Sequence, residues 1–189
     1  MSMSGLSHAP PRLLLTGPPK VGKTTVVERL VDLLAEASVP CIGFVSREVR
    51  GDDGRRVGFK VRDLAGPETW LAHQDFDSDS RVGRFGVDVA GFERVGLLAL
   101  KKGQRHMGIT VIDEIARMEL ASPSFVAVVQ EIFAGRYPVV ATVHIHEHPV
   151  TDALKHRKDT DLTVVTQANR DELPGLLFRR LMDSGVVGG

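Results

Sequence analysis

The 189-residue sequence contains one cysteine, one tryptophan and one tyrosine. A single cysteine cannot form a disulfide within the chain, and this is compatible with the reducing cytoplasm, where we expect the protein to be found. Lysine plus arginine and aspartate plus glutamate number 24 each, so the formal net charge is zero. Because proteins that bind nucleic acid usually carry a basic surplus, nucleic acid is not indicated as a partner. No apolar run approaches the length that crosses a bilayer, so no membrane association is expected.

The length and the 42% hydrophobic content suffice for one domain with a buried core. We expect residues 12–185 to form that domain, preceded by a flexible arm at residues 1–11. Apolar or β-branched runs alternate with segments of helical periodicity, which predicts an α/β fold with a mostly parallel sheet and helices on both faces. The predicted strands cover residues 12–16, 39–45, 57–64, 108–113, 138–143 and 162–165. The predicted helices cover residues 24–37, 92–102, 122–134, 150–156 and 170–182.

A tight turn is indicated by the sequence GDDG at residues 51–54, which separates two β-rich runs. We therefore predict an inserted β-hairpin at this place in the chain. Trp70 and Leu71 are candidates for another short strand. Residues 75–91 are polar and contain several glycines, so a surface loop is predicted there.

The clearest motif is the sequence GPPKVGKT at residues 17–24, which matches G-x-x-x-x-G-K-[ST] in full. It lies between an apolar strand and an amphipathic helix, where backbone N–H groups and the helix N-terminus bind phosphates. Lys23 is expected to reach the β- and γ-phosphates, and the Thr24 hydroxyl to hold Mg²⁺. Thr25 either contacts the α-phosphate or only fills the first helical turn. The predicted phosphate-binding residues are Gly17, Pro18, Pro19, Lys20, Val21, Gly22, Lys23, Thr24 and Thr25.

Besides the threonine of the phosphate loop, the metal needs an acidic ligand from another segment. We expect this acid at the end of an apolar strand that lies beside the first strand. Residues 109–113 (ITVID) fit this requirement, so Asp113 is predicted to bind Mg²⁺ through water. Glu114 follows at the carboxyl edge of the sheet, where it either polarises the water that attacks the γ-phosphate or is a solvated helix-cap acid. The adjacent pair of acids favours the catalytic role. Glu119 either belongs to the site or forms a structural ion pair with an arginine.

Four arginines, Arg47, Arg50, Arg55 and Arg56, flank the predicted turn. Phosphoryl transfer is aided by a cation that meets the charge developing on the γ-phosphate, and an arginine of the hairpin could supply it. Charged runs are also common on solvated surfaces, and the residue types alone favour a salt-bridged hairpin without a catalytic role.

A nucleotide base needs an apolar slot with a few polar edges. Residues 166–170 (TQANR) follow the last predicted strand on the same edge of the sheet as the phosphate loop. Asn169 and Arg170 are therefore candidates for bordering the base or ribose, and an N-cap role for Asn169 in the last helix is an equally good interpretation. All four bases would be tolerated if the contacts are stacking and backbone contacts.

Three histidines, His144, His146 and His148, alternate along the chain, so an extended backbone would place them on one side. Because no cysteine or paired carboxylate lies nearby in the sequence, a polar loop is favoured over a metal cluster. From the strand end, His144 could still sense the γ-phosphate.

Several stretches of the chain resemble the cancer-related nucleoside-triphosphatase family, small P-loop enzymes shared by archaea, bacteria and animals. They are GPPKVGKTT (17–25), GFVSREVRGDDGRRVGFKV (43–61), VGRFGVDVAGFE (82–93), VIDEIARMEL (111–120) and VVTQANRDEL (164–173). The resemblance implies a RecA-like P-loop NTPase fold and slow, Mg²⁺-dependent hydrolysis of ATP, GTP, CTP and UTP to diphosphate and phosphate. Arg50 and Arg56 coincide with arginines of the family's hairpin pattern, which makes them the candidates for contacting the phosphates.

The sequence also departs from that family pattern at three positions. Lys20 occupies a position that is usually glycine, so it is strained if the backbone there requires a positive φ, or it adds a cation beside the phosphates. Ala116 replaces a usual glycine, and Arg47 replaces a usually acidic or polar residue. These departures concern the fine geometry and leave the nucleotide site intact.

Two other functions are compatible with these motifs. A nucleotide or nucleoside kinase would need a second substrate pocket and a lid, for which residues 75–91 are the candidate segment. A slow nucleotide-dependent binding switch would use the hairpin as its moving part and would signal through a protein partner that the sequence does not identify. We expect the protein to be a monomer.

Overall fold

The structure is a computed structural model that describes residues 9–103 and 108–185. The predicted N-terminal arm lies mostly outside the described residues, as do residues 186–189. The described strands are β1 (Arg12–Thr16), β2 (Cys41–Arg50), β3 (Arg56–Asp63), β4 (Glu68–His73), β5 (Arg81–Val82), β6 (Phe85–Val87), β7 (Ile109–Ile115), β8 (Val139–Val143) and β9 (Asp161–Val164). The described helices are α1 (Lys23–Glu36), α2 (Val89–Phe92), α3 (Leu98–Gly103), α4 (Pro123–Ala134), α5 (Pro149–Lys155) and α6 (Leu173–Asp183).

All these strands belong to one sheet with the order β5-β6-β4-β3-β2-β7-β8-β1-β9. The five strands from β2 to β9 in that order are parallel to one another. The strands on the other side of β2 pair in antiparallel fashion. The prediction of a mostly parallel, RecA-like core with an inserted β-hairpin is confirmed, and β4, β5 and β6 extend the hairpin into a larger antiparallel half.

Two predictions about the sheet are wrong. Residues 75–91 are not only a surface loop, because they contain β5, β6 and the start of α2, and Phe85 and Val87 are buried in the core. The strand that carries Asp113 does not lie beside β1, because β8 lies between β1 and β7. Strand order depends on contacts between distant segments, which the local sequence pattern does not contain.

Side chains from alternate positions of β1 enter two separate hydrophobic cores. Leu14 packs on the face covered by α4 and by the continuous helical segment of α2, a π-helical turn at Glu93–Leu97, and α3. On this face Phe44, Phe92 and Phe125 contact one another with ring centroids 5.2–6.0 Å apart. Leu13 and Leu15 face α1 and α6 on the other side of the sheet. Helices therefore cover both faces of the parallel core, as the alternating pattern predicts.

The register of the parallel strands brings their carboxyl ends together. Leu15 of β1 pairs with Thr142 of β8, and Ile112 of β7 pairs with the preceding residue, Ala141. The loop after β1 and the acids at the end of β7 consequently emerge at the same edge of the sheet, where ligands bind in open α/β folds.

Candidate active site

The loop between β1 and α1 has the backbone conformation that its two glycines allow. Gly17 has φ 154° and Gly22 has φ 112°, and L side chains rarely adopt such angles. A Cβ atom on Gly17 would also lie 2.8 Å from the Val165 carbonyl oxygen. Helix α1 begins directly after Gly22, so its first backbone N–H groups face the loop. This is the local geometry of a phosphate-binding loop.

Lys23 lies between the phosphate loop and the acidic end of β7. Its Nζ donates to the Gly17 carbonyl oxygen at 3.2 Å and lies 3.4 Å from Glu114 Oε1. Burial raises the pKa of Glu114, while the Lys23 cation acts in the opposite direction. The ammonium group is thus held where a carbonyl and a carboxylate compensate its charge.

Asp113 is buried, with 1% of its surface exposed, and is held by hydroxyl groups. Its Oδ1 accepts a hydrogen bond from the Thr142 hydroxyl at 2.6 Å, the Thr24 hydroxyl lies beside it, and Oδ2 has no hydrogen-bond partner. Burial raises the pKa of Asp113 to about 6, against the effect of these hydroxyl groups. An unpartnered carboxylate oxygen next to a threonine hydroxyl is the donor set that Mg²⁺ prefers.

Glu119 is a third buried acid of the site, with 3% of its surface exposed. Its Oε1 accepts a hydrogen bond from the Ser46 hydroxyl at 3.4 Å, and Oε2 has no partner. Burial raises its pKa to about 8. The structure therefore pairs Glu119 with Ser46 rather than with an arginine.

The hairpin arginines of interest, Arg50 and Arg56, both form ion pairs with Glu48. Arg56 lines the cleft in front of the phosphate loop, whereas Arg50 turns away from it and donates to the Gly54 carbonyl oxygen at 2.6 Å. Burial alone would raise the pKa of Glu48, but the charges of Arg56, Arg50 and Lys20 lower it. Both arginines are therefore salt-bridged in this structure. Of the four hairpin arginines, Arg47 and Arg56 line the cleft, and Arg50 does not.

The elements described above surround one cleft of about 800 Å³. Its lining includes the polar side chains of Lys23, Thr24, Asp113 and Glu114. It also includes apolar side chains, Phe59, Leu71, Val82 and Met118.

Comparison with known proteins agrees with this geometry. A family model described as NTPase matches residues 12–178. The chain belongs to the NTPase family. Nucleoside-triphosphatase THEP1 of Thermofilum pendens is 42% identical over 171 residues, which are 89% of this chain and 93% of the relative. The same enzyme of Natranaerobius thermophilus is 41% identical over 174 residues, covering 89% and 95% of the two chains.

Two solved structures of this family have the same fold. The crystal structure of THEP1 from Aquifex aeolicus superposes with a TM-score of 0.83 at 32% identity, covering 90% of this chain and 98% of that one. The solution structure of a human cancer-related nucleoside triphosphatase gives a TM-score of 0.79 at 32% identity, covering 92% and 98%.

Lys20, which we expected to be strained if its backbone requires a positive φ, does have such an angle. Lys20 has φ 65°, the left-handed region that a side chain disfavours. Six of the nine predicted phosphate-binding residues line the cleft: Pro19, Lys20, Gly22, Lys23, Thr24 and Thr25. Gly17, Pro18 and Val21 do not line the cleft: Gly17 and Val21 are buried, and the Val21 N–H donates to the Pro18 carbonyl oxygen.

The loop at residues 166–170 does not line the cleft. Asn169 donates from Nδ2 to the Val164 carbonyl oxygen at 2.9 Å and accepts at Oδ1 from the Thr166 N–H at 2.8 Å. Of the two interpretations of Asn169, the N-cap role is wrong, because α6 begins later and its N-cap is Glu172. Arg170 donates to the Val21 carbonyl oxygen at 3.3 Å, so it supports the back of the phosphate loop.

The histidines do not form a metal cluster. Within residues 9–103 and 108–185, no group of three or more His, Cys, Asp or Glu residues is arranged to hold a metal ion. His148 accepts from the Val150 N–H at the start of α5, whereas His144 and His146 line the cleft. Neither ring nitrogen of His144 has a hydrogen-bond partner, and burial lowers the pKa of this histidine. The same described ranges contain no helix that is long and apolar enough to cross a membrane.

Sequence reasoning gave no role at the site to Ser46, to Glu48, which is one of the charged residues flanking the hairpin, or to the apolar wall of the cleft. Ser46 and Glu48 are two positions apart on one strand, so the alternation of a β-strand was the available signal. The apolar wall comes from β3, β4 and β5, whose meeting depends on strand pairing over long distances.

Proposed function

We propose that this protein hydrolyses nucleoside 5′-triphosphates to diphosphate and phosphate in a reaction that requires Mg²⁺. The relatives named nucleoside-triphosphatases, which match nearly the whole chain, support the reaction class. The observation that carries the proposal is that Lys23, Asp113 and Glu114 all line the cleft, with Lys23 3.4 Å from Glu114. These groups supply phosphate binding, a metal ligand and a base.

The phosphate loop would bind the triphosphate through backbone N–H groups and through Lys23. The ammonium group already lies at the mouth of the loop, within 3.2 Å of the Gly17 carbonyl oxygen. Bound phosphates would compete with Glu114 for this cation. The Glu114 carboxylate would then lose its counter-ion, which raises its tendency to accept a proton.

Thr24 and Asp113 would hold Mg²⁺. The fit rests on the unpartnered Oδ2 of Asp113 and on the Thr24 hydroxyl beside this carboxylate. Magnesium in such sites is typically bound by one or two carboxylates together with substrate phosphates and waters, so a protein cage of three acids is not required. When bound, the ion neutralises charge on the phosphate oxygens.

Glu114 would orient the attacking water and accept its proton. Its side chain is held near Lys23 and faces the same cleft. Arg56 would approach the γ-phosphate from the hairpin, leaving Glu48, and stabilise the charge that develops in the transition state. Arg50 would contribute indirectly, since it shares Glu48 with Arg56.

We further propose that the site accepts ATP, GTP, CTP and UTP. Asn169 and Arg170 would border the base or ribose, but both polar groups of the Asn169 side chain already make hydrogen bonds within the loop. These groups are therefore not free to read a base edge. The base would then be bound by stacking and by backbone contacts, and these do not distinguish the four bases.

The test is phosphate release from each of the four nucleotides with Mg²⁺ and with excess chelator. We expect release from all four and its loss in chelator. The Lys23→Ala variant should lose activity and keep its cooperative unfolding transition, while Lys101→Ala, an exposed lysine on α3, serves as the matched control. Wild-type turnover by Lys23→Ala would contradict the proposal.

A further inference from the structure

His144 is a side chain of the cleft whose hydrogen-bonding atoms the protein itself leaves unused. Its ring lines the cleft, both ring nitrogens are shielded from solvent, and neither has a hydrogen-bond partner among the described residues. A shielded polar atom without a partner costs free energy, so native structures seldom keep one unless a ligand or a water completes it. The ring nitrogens of His144 are therefore free to bind a ligand that enters the cleft.

The order and register of the strands place His144 between the phosphate loop and Glu114. His144 directly follows β8, which lies between β1, the strand before the loop, and β7, the strand that carries Glu114. Thr142 of β8 pairs with Leu15 of β1, and two residues further along these parallel chains come His144 and Gly17, where the loop begins. Since neighbouring strands are about 4.8 Å apart, the loop, His144 and Glu114 follow one another closely along this edge of the sheet.

The position of His144 indicates which part of a nucleotide its ring meets. This inference rests on the proposed function, in which the loop and Lys23 bind the triphosphate. Backbone N–H groups of such a loop surround the inner phosphates, and its lysine reaches the β- and γ-phosphates. Lys23 Nζ lies 3.4 Å from Glu114 Oε1, so the terminal phosphate bound by this lysine comes close to Glu114. A side chain between the loop and Glu114 therefore faces the γ-phosphate.

The charges next to His144 favour an anion as its ligand. Lys155 and Arg117 lie close enough to act on the ring as positive charges. Lys155 is paired with Asp152 at 3.0 Å. Arg117 also lines the cleft, and within residues 9–103 and 108–185 its side chain forms no ion pair and no hydrogen bond. A phosphate at His144 would thus meet an arginine that has no competing carboxylate.

Three other cations of the cleft already have partners. Lys23, Arg47 and Arg56 are each paired with a carboxylate, so a phosphate that binds them must replace an existing ion pair. Such a replacement adds little net affinity. His144 gives up no protein partner when it binds a phosphate oxygen, so its hydrogen bond contributes in full to the affinity for the ligand.

We propose that a ring N–H of His144 donates a hydrogen bond to a γ-phosphate oxygen and that this contact distinguishes nucleoside triphosphates from diphosphates. A hydrogen bond to a charged group changes affinity by about tenfold or more. A diphosphate has no γ-phosphate and leaves the ring nitrogens as unpartnered as they are in the free protein. Hydrolysis removes the contact, which favours release of the diphosphate product.

The experiment compares the Kd of a non-hydrolysed ATP analogue with the Kd of ADP, both with Mg²⁺ and the full chain. His144→Phe removes both ring nitrogens and keeps a ring at this place, where the centroids of the His146 and His148 rings lie 6.2 Å away. We expect the Kd of the analogue to rise about tenfold and that of ADP to change by less than about twofold. An unchanged Kd for the analogue, or an equal rise for both nucleotides, overturns the inference and leaves the proposed hydrolysis intact. The expected pattern without phosphate release by wild type supports the inference and contradicts hydrolysis.

Further variants separate the hydrogen bond from a structural effect. His146→Phe is the same change at an exposed histidine two residues away, and it should leave both Kd values unchanged. His144→Asn and His144→Gln keep an N–H donor near the places of Nδ1 and Nε2, so at least one of them should bind the analogue more tightly than His144→Phe does. An equal loss in all three His144 variants, or the same loss in His146→Phe, overturns the assignment of the hydrogen bond. Thermal unfolding first compares each variant with wild type.

Discussion

Replacing Lys20 with glycine is expected to stabilise the protein and to weaken nucleotide binding. Lys20 has φ 65°, and a side chain in the left-handed region costs about 1–2 kcal/mol. Glycine removes this strain but adds freedom to the unfolded chain, which costs about 0.4–1 kcal/mol. At the middle of these two ranges the net gain is about 0.8 kcal/mol in the free energy of unfolding, or roughly 2–3 °C in Tm for a chain of this size.

The second effect of the substitution comes from charge. Lys20 lines the cleft and lies close enough to Glu48 to lower the pKa of that carboxyl group. Loss of one solvent-exposed cation near bound phosphates is worth about 0.5–1 kcal/mol, which is a two- to fivefold increase in the nucleotide Kd. High salt should reduce this difference because the lysine is exposed.

The Lys20→Ala variant separates the two effects, because alanine removes the cation and keeps the strain. Ser38, with φ 56°, supplies a matched control: Ser38→Gly should gain stability without changing nucleotide affinity. Denaturant unfolding gives the stabilities, and titration with a slowly hydrolysed triphosphate analogue gives the affinities. The reasoning about strain is refuted if Lys20→Gly is no more stable than Lys20→Ala. The reasoning about charge is refuted if neither variant changes the Kd.

Three further predictions concern the acids and the arginines. Glu114→Gln should keep nucleotide affinity and lower kcat about a hundredfold, whereas Asp113→Asn should weaken Mg²⁺ binding; equal kcat in Glu114→Gln would exclude it as the base. Arg56→Ala should lower kcat more than it raises KM, with a smaller effect for Arg50→Ala, and the opposite order would contradict the placement of Arg56 in the cleft. Because the raised pKa of Glu119, about 8, leaves the folded state more protonated than the unfolded state, its contribution to stability should fall as the pH rises from about 4.5 to 8. Urea unfolding without Mg²⁺ checks this, since Glu119→Gln should flatten that dependence, and an unchanged slope would contradict it.

The parts of the fold that local sequence determines were predictable. The phosphate loop can be recognised from the sequence because its glycines, lysine and threonine occur at fixed spacing between a strand and a helix. Helix α4 begins where Ser122 and Pro123 predict, because the Ser122 hydroxyl accepts a hydrogen bond from the Phe125 N–H at 3.0 Å. The acids at residues 113–114 lie near the carboxyl end of an apolar strand, β7, as the sequence pattern predicts.

The parts that depend on pairing between distant segments were not predictable. Nothing in residues 109–115 or 139–143 indicates that β8 lies between β1 and β7. Arg50 and Arg56 could not be distinguished, because their positions depend on how β2 pairs with β3, and the irregular register at Val49 and Arg50 is not visible in the local pattern.

The ion pairs of the cleft explain how nucleotide binding would be linked to the hairpin. Lys23 is held against Glu114, and Arg56 against Glu48, so each cation that the reaction needs already has a carboxylate partner. A triphosphate that replaces these carboxylates exchanges one ion pair for another, and such an exchange contributes little net affinity. The backbone N–H groups of the loop must therefore supply most of the binding energy. The release of Glu114 and Glu48 then follows from binding, which frees the base only when its substrate is present and loosens the hairpin at the same time.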